Sequence, residues 1–430
     1  MSRHRSIRNA LLAGLAAMAA LTAQSQTSRV IVLHHADSLI GRVIDGEDVR
    51  ELIGDVRIAQ ENVLIRCDHA LQYIQQGRVE LTGNVVVEDD SLIITSPRGV
   101  YHRDPRRAEA FGHVVLDDGV SRLEAEYGEY AVDSRIAFFH TRVVASDSGS
   151  IMNADTVTYD RARRFMEARG RVVLFTPTDG VTVSGGRFEH DAAHAYSRMT
   201  LDPVLMQRDS TGDRVDTLIV RSRLMESFRD STRRLVASDS VEIIRSDLAG
   251  IAGSVVFYTA ADSILLRTAP VLWYGETQVA GDSINLYLQR RVLERIAVMG
   301  NAFAISRSDS QYAGRYDQLT GEWLSMTFAE RKLERIDVDL RATSIYFLYE
   351  DSAANGVNKT SGDRIVMRFA QGQAKAIHVY GGVEGQYFPE SMVGRREAEY
   401  RLPGFLWRGN RPQVQASDVA PHRMLQRVPH

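Results

Sequence analysis

The chain has 430 residues, 44% of them apolar and 25% charged, with 52 basic and 55 acidic side chains and a formal net charge of −3. The two signs are interspersed along the chain, so no basic footprint of a nucleic-acid binder is present. A single cysteine, Cys67, excludes an internal disulfide, and an exported chain of this kind must be held by sheet hydrogen bonds and packing.

Arg3, Arg5 and Arg8 precede a small apolar run from Ala10 to Leu21, followed by Thr22-Ala23-Gln24-Ser25. This is the pattern of a secretory signal peptide over residues 1–25, because an apolar run of about 12 residues falls short of the roughly 20 that span a bilayer. Cleavage is expected after Ala23 or Ser25, which removes three Arg and no acid. The mature chain is therefore expected in the periplasm.

An internal repeat dominates the rest of the chain. The segments Glu51-Leu52-Ile53-Gly54-Asp55-Val56, Glu80-Leu81-Thr82-Gly83-Asn84-Val85, Glu109-Ala110-Phe111-Gly112-His113-Val114, Phe138-Phe139-His140-Thr141-Arg142-Val143 and Glu167-Ala168-Arg169-Gly170-Arg171-Val172 place their anchors at 54, 83, 112, 141 and 170, a constant step of 29. Such self-similarity is the signature of a repeat architecture. Tyr101, Tyr130, Tyr159 and Phe188 each follow an anchor by 18, whereas Tyr73 follows Gly54 by 19. Downstream the motif recurs with looser spacing at Ser238-Asp239-Ser240-Val241, Thr268-Ala269-Pro270-Val271, Met299-Gly300-Asn301-Ala302 and Tyr380-Gly381-Gly382-Val383. The step from Gly170 to Asp239 is 69, which predicts an insertion around Asp209 to Asp216 and a soft boundary near Met206.

Around each anchor the side chains alternate with period two. Val79, Leu81, Gly83, Val85 and Val87 alternate with Glu80, Thr82, Asn84, Val86 and Glu88, the pattern of a half-buried strand. Turn signals such as Glu88-Asp89-Asp90-Ser91, Asp104-Pro105 and Asp117-Asp118-Gly119 separate the strands, so each repeat reads as two long strands and two turns. A Gly at the middle of an apolar face marks a bend. The spacing thus predicts an all-β chain of kinked antiparallel strands: repeats over 26–205 and 206–400, then a tail over 401–430 that holds four of the ten prolines. Ser222 to Ala237, the best helical candidate, runs directly into a strand and reads as mainly β. Cys67 lies in Val63-Leu64-Ile65-Arg66-Cys67 and reads as a buried strand residue.

No Gly-x-Ser-x-Gly elbow, His-Glu-x-x-His pair or phosphate loop occurs, and no cofactor or metal is implied. His34-His35 reads as a surface pair near the mature N-terminus, and paired acids such as Asp89-Asp90 fall in turns. The composition therefore points away from an enzyme. Two rival readings remain: a β-solenoid polysaccharide-active enzyme, whose coils are shorter than 29 residues, and a structural cell-envelope repeat protein.

The repeated Gly-x-Val anchors are each followed by an Ala-Asp or Ala-Gly step and an aromatic, as in Ala154-Asp155-Thr156-Val157-Thr158-Tyr159 and Ala280-Gly281-Asp282-Ser283-Ile284. Later stretches vary the theme: Asn355-Gly356-Val357-Asn358, Ser361-Gly362-Asp363-Arg364-Ile365 and Gly381-Gly382-Val383-Glu384-Gly385. Over about residues 40 to 400 the chain resembles the OstA-like proteins of lipopolysaccharide transport, both the periplasmic bridge protein and the N-terminal periplasmic domain of the outer-membrane assembly translocon. The resemblance implies a β-jellyroll whose strands bend across two sheets in a V. It implies an apolar groove that holds acyl chains of lipopolysaccharide or another lipid, and assembly with other transport components, or with a second copy, by strand-edge pairing. The groove-lining residues would be those sharing the anchor parity: Val85, Val87, Leu92, Ile94, Ala110, Val114, Leu116, Val143, Val172 and Leu174. Arg29-Val30-Ile31-Val32-Leu33 is the expected first edge.

Overall fold

The computed structural model describes residues 31–418 apart from 212, 213, 230, 232, 290, 291, 310, 313, 351, 352, 371 and 372. The expected signal peptide, 1–25, and the end of the tail, 419–430, lie outside the described residues. Among the described residues there are 28 strands, a helical turn at Glu390–Val393, a further helical stretch at 416–418 and two short 3-10 segments. Every strand pairing seen is antiparallel, as the alternation and turn signals require.

The chain forms two compact units, one up to Ala108 and one from Glu109 onward. In the first, Glu47–Gln60, Val63–Tyr73, Arg78–Asp89 and Leu92–His102 pair in sequence order. Val32–His35 and Ser38–Ile44 form the two halves of one edge, both paired to Glu47–Gln60. The expected edge is thus present from Val32, with Ile31 just before the ladder. In the second unit the same meander continues through Arg122–Ala131, Ile136–Ser146, Ile151–Asp160, Phe165–Thr176 and Val181–Asp191. The residues read as an insertion form a hairpin, Val204–Thr211 with Arg214–Arg221, and the ladder runs across it from Val181–Asp191 to Arg234–Ile244. Ser222 to Ala237 contributes strand Leu224–Phe228 and the start of Arg234–Ile244, with no helix.

The anchors are bends of one kind. At Gly54-Asp55, Gly83-Asn84, Gly112-His113, Thr141-Arg142 and Gly170-Arg171 two consecutive residues take the left-handed conformation. Two residues then oppose one: Ile53 pairs with His69 and Val56 with Cys67, leaving Gly54 and Asp55 against Asp68. That two-to-one count defines a bulge and turns the strand. The same bend recurs at the downstream anchors Asp239-Ser240, Thr268-Ala269, Gly300-Asn301 and Gly381-Gly382, and also at Leu201-Asp202 and Leu340-Arg341, which the sequence pattern does not show. Leu201 and Leu340 carry no glycine signal, which is why the spacing looks irregular between 170 and 239 and between 300 and 381. Where Pro203 and Pro270 follow the bend, no ladder donor exists and the strand divides in two, as Tyr196–Thr200 with Val204–Thr211 and Ser263–Arg267 with Val271–Tyr274.

A clasp across the bend recurs. Asp68, Asp155, Asp282 and Asp363 of the preceding strand stand where a Cβ on Gly83, Gly170, Gly300 and Gly381 would collide with them. The second bend residue reaches back to the same carboxylate: Asn84 Nδ2 donates to Asp68 at 2.8 Å, Arg171 Nε to Asp155 at 3.0 Å and Asn301 Nδ2 to Asp282 at 3.2 Å. Arg142 with Glu126 and Arg341 with Glu322 repeat the arrangement without glycine. The Ala-Asp step seen in the sequence is the acid half of this clasp.

Among its described residues the tail contributes no strand, as its prolines dictate, yet it is packed against the sheet. Val393 and Leu402 are buried against Phe303, Ile305, Ile345, Phe347 and Val357, with Tyr400, Phe405 and Trp407 beside them. Two buried glutamines grip its backbone. Gln318 donates to the carbonyl of Tyr400 and accepts from the amide of Leu402, at 3.0 and 2.7 Å. Gln278 does the same for Leu406 and Arg408, at 2.6 and 2.8 Å. Beyond them Arg221 binds the Asp418 carboxylate through two nitrogens, at 2.8 and 2.7 Å.

Replacing Gly83 by Val forces a β-branched residue into the left-handed region against Asp68. The first unit should lose about 1–3 kcal/mol of stability. Gly41→Ala, where nothing lies within 4 Å of the new Cβ, should change little. Urea titrations of both variants check this, and equal midpoints would show that the bend tolerates a side chain.

Candidate functional site

The site begins with the residue that follows each bend pair. In the first unit this is Val56 and Val85; in the second it is Val114, Val143, Val172, Pro203, Val241, Pro270, Ala302 and Ala342. These are buried, because the two-residue bulge turns this position to the same side of the sheet, whereas Val383, after the last bend at Gly381-Gly382, is exposed. The next residues of that parity, Ile58 and Val87 in the first unit and Leu116, Ala145, Ile243 and Leu272 in the second, are buried too.

Nine of the ten residues expected from the sequence are buried, and Leu174 is half-buried. In the first unit Val87 pairs with Ile94, while Leu92 pairs with Asp89 and Val85 with Ser96. In the second unit Val143 pairs with Ala154, Leu174 with Met152 and Val183, and Val172 with Gly185. Gly128 leaves the space that the Phe139 ring and Val114 fill, since a Cβ there would lie 2.7 Å from one and 3.0 Å from the other. Val115, of opposite parity to Val114, is buried as well.

At the far end of this face the lining turns polar. Gln60 and Asp89 are buried on it, and Tyr101 donates its phenol hydrogen to Gln60 Oε1 at 2.7 Å. Tyr101 pairs with Val79, on the strand halves that precede a bend, whereas Gln60 pairs with Val63, on the halves that follow one. The bond therefore joins the two half-sheets of the first unit. Tyr159 and Asp118 repeat it in the second unit at 3.4 Å, again 41 residues apart. Two of the aromatics that follow an anchor by 18, Tyr101 and Tyr159, thus close the apolar face along a polar seam, whereas Phe188 has no hydroxyl to donate. Tyr73, one step out of phase, instead lies half-buried under the Arg78 guanidinium, 3.9 Å from its ring centre. In the sequence the tyrosines mark the repeat and nothing more. Their seam partners are not apparent there, because Gln60 and Asp118 occupy turn-like stretches.

Burial pushes the Cys67 thiol up to about 11, so it is an inert core residue, as its strand position suggests. His34 and His35 lie on the exposed edge, with His35 Nε2 3.5 Å from Asp37 and 3.6 Å from Asp55. Among the described residues no group of His, Cys, Asp and Glu is arranged to hold a metal ion, and no helix is long and apolar enough to cross a membrane. The one strongly displaced acid among the described residues is Asp317: burial raises its pKa to about 6, against the amide of Phe347, which donates to it at 3.0 Å.

With the folded value above the ordinary one, Asp317 favours the fold fully below pH ~4, and that contribution is lost as the pH rises through about 6. Asp317→Asn keeps an acceptor for Phe347 and removes the charge. It should raise stability at pH 8 by about 1–3 kcal/mol, with the difference vanishing by pH 4. Thermal melts across that range decide it; a variant no more stable at pH 8 would show that Asp317 is solvated.

The family model described as "OstA-like protein" matches the chain twice in overlapping windows, residues 28–121 and 76–198. No curated protein matches the sequence. Among solved structures, LptH of Pseudomonas aeruginosa, described as the LptA homologous periplasmic component of the conserved lipopolysaccharide transport device, is 13% identical. The match covers 33% of this chain and 95% of LptH at a TM-score of 0.26. Antiparallel strands with left-handed bends run from Val32 to Pro389, and over residues 28–198 the chain is similar to the OstA-like family.

Proposed function

We propose that the chain is a periplasmic, non-enzymatic lipid carrier that takes part in lipopolysaccharide transport and assembly at the outer membrane. The observation that supports it is the aliphatic face behind the bends, bounded in each unit by a tyrosine hydrogen bond, Tyr101 to Gln60 and Tyr159 to Asp118. A packed core needs no such seam, since apolar groups alone would close it. Each Tyr–Gln or Tyr–Asp bond contributes only about 0.5–1.5 kcal/mol, so the two half-sheets can part along this line. An acyl chain entering there would replace water contacts at about 0.8 kcal/mol per CH₂, enough to offset several such bonds. In this reading Val85, Val87, Leu92, Ile94, Ala110, Val114, Leu116, Val143, Val172 and Leu174 contact the chain, and Tyr101 and Tyr159 guard the entry.

The N-terminal edge serves assembly. Ser38–Ile44 pairs on one side only among the described residues and exposes Leu39, Ile40 and Val43. An apolar edge of this kind is a template for another strand, from a transport component or a second copy.

A photo-crosslinking residue tests both parts in cells. At Val114 it should capture lipopolysaccharide, at Val115 it should not, and at Val43 it should capture a protein strand. Lipid captured from Val115 alone would place the groove on the opposite face, and no lipid at either position would mean that the half-sheets stay closed.

A further inference from the structure

A second candidate binding site lies on the other face of the sheet, away from the aliphatic face. Phe303 and Ile305 alternate with Ala302 and Ala304, so they point opposite to the residues that follow the bends. Next to the bends this face carries one row across five pairings: Ala280, Phe303, Thr320, Thr343, Ser361 and Glu384. Tail residues 402–408 form the facing wall, fixed by Gln278 and Gln318. Between them is a cleft of about 840 Å³. That lies inside the range of about 300–1,000 Å³ typical of small-molecule sites.

The chemistry of the lining selects the ligand. Thr343, Ser361 and Glu384 of the row have no side-chain partner among the described residues, and the same holds for Lys359, Gln386 and Arg408 beside them. Five of these six carry hydrogen-bond donors, and four can accept. An acyl chain laid here would strip water from all six and return nothing, which is costly for each group. A polyhydroxylated ligand offers a donor and an acceptor at each position. The lining carries three cations, Arg341, Lys359 and Arg408, against three carboxylates, Asp282, Glu322 and Glu384, so it is neutral as a whole and admits at most one acidic group on the ligand, beside Lys359 and Arg408.

We infer that this cleft binds a short oligosaccharide, held by the Thr343 and Ser361 hydroxyls, Gln386 and Glu384, with Lys359 and Arg408 at its rim. The inference stands apart from lipid carriage, because none of the side chains assigned to hold the sugar is among the proposed acyl-chain contacts. An array of short neutral and mono-acidic oligosaccharides, probed with the full mature chain, tests it, with sodium decanoate run in parallel by titration calorimetry. At least one glycan should bind, and the combined Thr343→Val and Ser361→Ala variant should weaken it by about tenfold or more while its melting curve is unchanged. Lys359→Gln should weaken a mono-acidic glycan more than a neutral one. Absence of binding across the array would overturn the assignment. So would decanoate binding that the double variant reduces, because the cleft would then be an amphiphile site.

Discussion

The structure depends on the two-residue left-handed bend. A strand that stayed straight would expose one aliphatic face along its whole length. By placing two residues against one, the bulge turns the strand and brings the following position inward in every bend but the last, whether that position is Val56, Val172, Pro203 or Ala342. The left-handed conformation costs an ordinary residue about 1–2 kcal/mol, and glycine takes it freely. Gly54, Gly83, Gly112 and Gly170 use that freedom, while Thr141, Leu201 and Leu340 adopt the conformation without it. The carboxylate clasp helps explain the tolerance: Arg142 and Arg341, each following a non-glycine residue, reach Glu126 and Glu322 across the bend.

This single device links fold and function. The bend creates an inward face of small aliphatic residues, and Tyr101 and Tyr159, each 18 positions after an anchor, bridge to a polar partner beside it. In the proposed function it is closing by hydrogen bond, rather than by apolar packing, that lets the interior open. The outward face of the second unit follows a different logic. Its rows alternate glutamine with isoleucine, as in Gln278, Ile305, Gln318 and Ile345, so that side-chain amides supply the pairing that a proline-rich tail cannot obtain from a ladder.

Much of this is legible in the residues. Period-two alternation and the 29-residue step specify strand identity, parity and the bend at residues 54 to 170, because in that region glycine, the following polar residue and the valine all recur. Legibility ends where other chemistry substitutes for glycine. Leu201-Asp202 and Leu340-Arg341 bend identically, but their side chains carry no sign of it, so two repeats are hidden. The tail is readable as non-strand from Pro403, Pro412 and Pro421. Its docking is not, because Gln278 and Gln318 look like any polar strand residue until Tyr400, Leu402, Leu406 and Arg408 are placed beside them. The candidate lipid contacts are identifiable as one face; that the face is sealed by Tyr101 and Tyr159 requires three-dimensional pairing over 41 residues.

The central claim is that the aliphatic interior behind the bends is a lipid site. Mass spectrometry of organic extracts from the protein, purified from periplasm without detergent, tests it most directly. The account predicts acylated lipid, with lipid A among the species, released in an amount comparable to the protein. Extracts free of acylated lipid, from protein shown to be folded, would contradict it and leave the face behind the bends as a closed core.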